Sequence, residues 1–184
     1  MIGTKLYKDK YTNTEYANLA VWCNTNNATI VDQGEYYECI EIPAPSLEEL
    51  KTSKLTEVDA WTADKITGGF VSTCFNGIPV KYDTDRDTQL TMTKARANCE
   101  GERFAEAFPE GMGVRGYEQT GLDDEGNPTF ASVKTVYNFM PEHIIAWDED
   151  FSLFLAQCKY EGWIKQAEVE AAESKEALDA IVLD

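Results

Sequence analysis

The sequence predicts an α+β protein, with small β-hairpins packed with several α-helices and a long C-terminal helix. Three observations lead there. Asn76-Gly77 stands between two β-prone runs, the strongest short hairpin signal a sequence offers. Thr12/Glu15 and Ser46/Glu49 each have capping-box spacing and precede apolar residues at helical intervals. Pro141, suited to a helical first turn, opens the longest stretch of helical spacing, from Glu142 to about Ala172.

Taken in order, the first element is a helix from about Asn13, whose Tyr16, Leu19, Ala20 and Cys23 share one buried face. The run Asn24–Asn27 stops it. ATIVD and EYYECIEI, separated by Gln33-Gly34, read as a hairpin. Residues 1–42 therefore form a helix–hairpin unit. Pro43-Ala44-Pro45 is a stiff connector to a second α+β domain over residues 46–184.

That domain opens with a polar amphipathic helix to about Thr67, striped by Leu47, Leu50, Leu55, Val58 and Ile66 and stopped by Gly68-Gly69. Phe70–Phe75 and Ile78–Tyr82 flank the Asn-Gly turn. Asp87 is read as the cap of a helix carrying Leu90, Met92, Ala95 and Cys99, then Phe104, Ala107 and Phe108. Gly111–Gly116 is read as a flexible turn. Val114–Thr120 and Thr129–Phe139 form a hairpin around DDEGNP. In the long helix, Ile144, Phe151, Phe154, Leu155, Cys158 and Ile164 supply an apolar side. Ser174 starts a last short helix with Leu178 and Ile181.

Apolar residues make up 43% of the chain, enough for a packed core and against disorder. The 33 acids outnumber the 16 bases, and the formal net charge is −17. Such a field repels phosphate backbones and anionic membrane surfaces, and no basic run counters it, so neither nucleic acid nor membrane is expected as a partner. The first thirty residues are polar throughout and carry no secretory or spanning segment. The five cysteines, at 23, 39, 74, 99 and 158, are odd in number and contain no CxxC pair. They read as small apolar residues in a reducing compartment rather than as a disulfide framework or zinc site.

Catalytic patterns are missing. The one histidine, His143, lies in a helical first turn, and no nucleophile elbow or cysteine-nucleophile signature accompanies it. GMGVRG spells GxGxxG, but it follows a helix and precedes a strand, the reverse of a nucleotide-binding context. DTDRD alternates Asp83, Asp85 and Asp87, yet the calcium-loop glycine is replaced by Thr88 and the closing acid by Lys94. No catalytic residue, metal ligand or cofactor is expected. Of the four tryptophans, Trp22 reads as core, while Trp61, Trp147 and Trp163 lie on more polar helices. The stripe Phe151, Phe154, Leu155 and Cys158 needs cover, which either the domain's own core or copies of the helix or a fibre subunit can supply; in the second case the expected partner-binding residues are Trp147, Phe151, Phe154 and Trp163, with the two tryptophans at the edges.

Two stretches carry a resemblance. EYANLAVWCNTNNATIVDQGEYYECIEI resembles the N-terminal unit of small proteins encoded beside tail-fibre genes in phages and prophages: a helix, WCN, then a hairpin ending in YYE. From Leu47 onward the chain is similar to a domain family of small phage and prophage proteins encoded in tail-fibre gene clusters. Gly69-Phe70, Asn76-Gly77, Tyr82–Asp85 and the terminal AxxxxAxSxEALDAI of Ala167–Ile181 carry this likeness, and residues 105–128 depart from it. The family has no agreed chemistry, so the resemblance implies a place and no mechanism. It implies a tail or tail-fibre structural or adaptor protein, in the virion or in the host cytoplasm assisting fibre assembly, with other tail or fibre proteins as partners and a homo-oligomer as the favoured form. The alternative reading is an acidic phage protein that inhibits a host DNA-binding protein by its charge; a wall hydrolase carried by the tail is a third.

Overall fold

The computed structural model describes all residues, Met1–Asp184. The fold is α+β, with six helices and two sheets. The chain divides into two compact units, Met1–Ser46 and Leu47–Asp184, just beyond the Pro43–Pro45 connector.

The first unit contains β1 (Lys5–Tyr7), α1 (Asn13–Thr25), β2 (Ala28–Asp32) and β3 (Tyr36–Glu41). The Thr12/Glu15 capping box is formed: the Glu15 N–H donates to Thr12 Oγ1 at 3.2 Å, and the Thr12 N–H to Glu15 Oε2 at 2.7 Å. β2 and β3 make the expected hairpin, whose turn is braced by the Gly34 N–H donating to Asp32 Oδ1 at 2.8 Å. β1 is an addition to the expected plan. It pairs antiparallel with β3, giving the order β1-β3-β2. Leu19 and Cys23 of α1 close on Ala28 and Cys39 of the sheet, and the sulfurs of Cys23 and Cys39 lie 3.4 Å apart in this core.

The second unit runs α2 (Leu47–Thr67), β4 (Phe70–Ser72), β5 (Val80–Tyr82), α3 (Arg86–Asn98), α4 (Glu102–Ala107), β6 (Met112–Leu122), β7 (Pro128–Phe130), β8 (Thr135–Phe139), α5 (Pro141–Ala171) and α6 (Lys175–Asp179). The sheet is antiparallel. β4 pairs with β5, β5 with β6, and β7 and β8 with successive parts of β6. Alternation puts Phe70, Val80, Tyr82, Val114, Tyr137 and Phe139 on one buried face. Met92 and Ala95 of α3, Phe104 of α4 and Ile144, Trp147 and Phe151 of α5 cover that face. A second core lies away from the sheet, where Val58 of α2 and Val169 of α5 meet Ala172 and Leu178.

Three local expectations are corrected. Asp85, and not Asp87, caps α3. Its carboxylate accepts the N–H groups of Asp87 and Thr88, and those bonds, the Thr88 one first, hold it below the usual aspartate range. Asn76-Gly77 does not make a two-residue hairpin. The ladder ends at Ser72↔Val80, and Asn76 (φ 54°) and Gly77 (φ 78°) lie within the longer loop beyond it. Gly113 and Gly116 are not in a flexible turn but inside β6. Gly116 is there because a Cβ would stand 2.4 Å from Val80 Cγ1 and 3.1 Å from the Tyr82 ring, so the strand can pass beneath these side chains only without one.

Candidate interaction surface

The longest element, α5, has two cores and one free side. Pro141 occupies its first turn, and the Met140 N–H donates to His143 Nδ1 at 3.0 Å, satisfying a donor at the helix start. His143 Nε2 then carries the ring proton and donates to Asn76 Oδ1 at 3.3 Å, tying the β4–β5 loop to the helix. The ring also rests on Phe75, its centroid 4.9 Å away. Both nitrogens of the sole histidine are thus spent on structure.

Ile144, Trp147 and Phe151 follow at three- and four-residue intervals and enter the sheet core. Trp147 stacks on Phe151 at 5.1 Å and meets Phe70 edge-on at 5.2 Å. Further along, Cys158, Gly162 and Val169 turn inward. Gly162 lets α2 and α5 touch, since a Cβ there would lie 2.5 Å from Thr62 Oγ1. Lys65 of α2 bonds Glu161 of α5 at 2.7 Å, and Asp59 accepts from Gln166 at 2.7 Å, so polar pairs flank this seam.

The opposite side of α5 has no cover. Leu153, Ala156, Tyr160, Trp163 and Ala167 are all exposed and recur at intervals of three and four, the spacing of a coiled-coil seam. Leu153 is 71% exposed, Tyr160 61% and Trp163 62%. A shallow apolar groove of about 290 Å³ opens beside Ala156, lined by Ser152, Leu155, Ala156, Lys159 and Trp163. A second, of about 230 Å³, lies between Ile164, Trp61 and Val182.

The same stretch is poor in charge. Residues 151–167 contain one acid, Glu161, which Lys65 neutralises, and two lysines, of which Lys165 is held by Glu168 at 3.0 Å. Acids resume on either side, at Asp148–Asp150 and from Glu168 onward. Aromatic side chains set in a charge-depleted strip are the composition of a protein interface core.

The expected partner-binding set is therefore split. Trp147 is 1% exposed and Phe151 is buried, so both belong to the domain's own core, and that part of the expectation is corrected. Phe154 is half-buried and stacks on Phe70 with ring centroids 5.5 Å apart. Trp163 alone of the four faces outward. Leu153, Ala156 and Tyr160 were not anticipated. Their three-and-four spacing was present in the sequence, but it competes with the stripe Phe151, Phe154, Leu155 and Cys158 on the same helix. Which stripe is inside depends on where the sheet lies.

Other groupings are accounted for locally. Ser72 Oγ donates to Asp150 and accepts the Cys74 N–H, a turn within β4's end in which His143 takes no part. Cys74 is half-buried beneath Tyr82, and burial raises its thiol above the ordinary range. Asp83, Asp87, Arg115 and Lys134 line a cleft of about 470 Å³ between α3 and β6; Lys134 pairs with Asp83 there, leaving a rim of compensated charge. No helix is long and apolar enough to cross a membrane. No protein-family model matches the chain, and no curated protein or solved structure is significantly similar to it, so the outer strip of α5 stands on its own geometry as the candidate site.

Proposed function

We propose that the protein is a non-catalytic structural or adaptor component of a bacterial-virus tail or tail fibre, acting in the virion or during fibre assembly, and that it docks through the outer strip of α5. The exposed, charge-poor aromatic seam of Leu153, Ala156, Tyr160 and Trp163 carries the interaction part of this reading. The ordered likeness of the sequence to proteins encoded in tail-fibre clusters supports the place. The acidic remainder of the surface keeps such a component soluble and turns away nucleic acid.

Mass spectrometry of purified particles alongside infected-cell lysate is the test. The protein is expected in particles, or in the lysate bound to a fibre protein, and Trp163→Glu is expected to release it. Its absence from both would contradict the reading. The net charge of −17 favours one second reading, a decoy for a host DNA-binding protein. That role predicts displacement of DNA from the host protein by the wild type and by Trp163→Glu alike.

A further inference from the structure

We propose that the outer strip of α5 is a two-fold, antiparallel contact with α5 of a second copy of this chain. The proposal rests on the docking role given to that strip above and names its occupant.

The argument starts from shape. Ala156 and Trp163 are seven residues apart, two helical turns, so they lie on one face about 10 Å from each other. One is the smallest side chain of the seam and the other the largest. The groove beside Ala156 runs along about three turns, from Ser152 past Leu155 and Lys159, and Trp163 forms its far wall. An antiparallel copy, related by an axis between Lys159 and Tyr160, brings its Trp163 over this Ala156 and receives this Trp163 over its own. The bump and the hollow are each used twice, as an isologous contact requires. The same axis sets Lys159 of each copy against Tyr160 of the other. Lys159 forms no ion pair within its own chain, and an ammonium over a phenol ring is a favourable contact. Leu153 falls opposite Gln166, and Ser152 opposite Ala167. Between Ser152 and Ala167 no acid meets an acid; just beyond, at each end of the contact, exposed Glu149 of one copy falls opposite exposed Glu170 of the other.

Charge then selects the occupant. Two copies bring −17 each, and nearly any face-to-face approach would oppose carboxylates. Residues 151–167 form the stretch of α5 where that repulsion is absent. A basic partner would gain most from the acidic surface to either side and least from this neutral strip. The seam is about 21 Å long, shorter than a full-sized interface supplies, so the dimer forms in the micromolar range or more weakly. Long-range repulsion between the copies makes association stronger as salt rises, whereas a complex with a basic partner weakens.

Sedimentation velocity of the full chain from roughly 1 μM to 1 mM, at about 0.05 M and 0.5 M salt, tests this. A dimer is expected, its fraction rising with both concentration and salt. Ala156→Glu and Trp163→Glu, both at exposed positions, should stay monomeric at every concentration with unchanged circular dichroism and melting. A short bis-maleimide should join Lys159→Cys, near the axis, several-fold more efficiently than Ser152→Cys, with the wild type as blank. A monomer throughout, a dimer that survives both substitutions, or equal joining at the two positions would each overturn the proposal. If the wild type is monomeric yet retains a tail protein that Ala156→Glu loses, the second-copy assignment fails while the docking role stands.

Discussion

Trp147 and Trp163 sit on one helix, sixteen residues apart, and do opposite things. Trp147 is enclosed by Phe70, Tyr82 and Phe151, where its indole N–H finds no acceptor. Trp163 is largely in water within a strip with little charge. The difference teaches that apolar residues on an amphipathic helix are not one stripe with one purpose. The inner stripe of α5 holds the domain together, and the outer one is left over by folding and free for association.

The sharpest contrast is in stability. Trp147→Ala should cost about 3–5 kcal/mol, because it empties a packed aromatic cluster. Trp163→Ala should stay within about 0.5 kcal/mol, because it removes little that folding buries. Chemical denaturation of the two variants measures both, and equal losses would erase the distinction. Trp147→Phe should cost clearly less than Trp147→Ala, since it keeps most of the packing and removes a buried donor that has no acceptor.

Gly116→Ala probes the sheet beneath the inner stripe. Its new methyl would meet Val80 and Tyr82, and a loss of about 1–3 kcal/mol is expected from overpacking. A denaturation midpoint equal to wild type would mean that β6 has slack there. Gly77→Val should lose roughly 1 kcal/mol or more. Nothing lies within 4 Å of a Cβ at that position, so the cost is that of a β-branched residue at positive φ. An unchanged midpoint would contradict the turn geometry. His143→Ala should lose about 0.5–1 kcal/mol, less than either glycine variant but more than Trp163→Ala, for loss of a helix-start acceptor and the bond to Asn76.

What the sequence reveals follows from whether a signal is local. Thr12 with Glu15, Ser174 ahead of α6, Pro141 and the β2–β3 hairpin depend on nearby residues, and their elements stand where expected, while β4 and β5 pair as expected but stop short of the Asn76-Gly77 turn. β1 was missed because three residues, Lys5-Leu6-Tyr7, carry one apolar position and acquire strand character only by pairing with β3. Gly116 reads as part of a turn because its reason is a distant side chain: Val80, thirty-six residues away, needs the space there. The candidate site shares this limit. Apolar residues surround α5 between Phe151 and Ile164, and only the position of the sheet decides that Phe151 faces in and Trp163 out.

Hydroxyl-radical footprinting of the full chain, read by mass spectrometry at Trp147, Tyr160 and Trp163, tests the division of α5 most directly. In dilute solution Trp163 and Tyr160 should be oxidised readily and Trp147 hardly at all. At concentrations where the chain associates, Trp163 and Tyr160 should become several-fold less reactive while Trp147 stays as it was. Oxidation of Trp163 and Tyr160 that is the same in dilute and associated protein, or a reactive Trp147 in folded protein, would contradict the account.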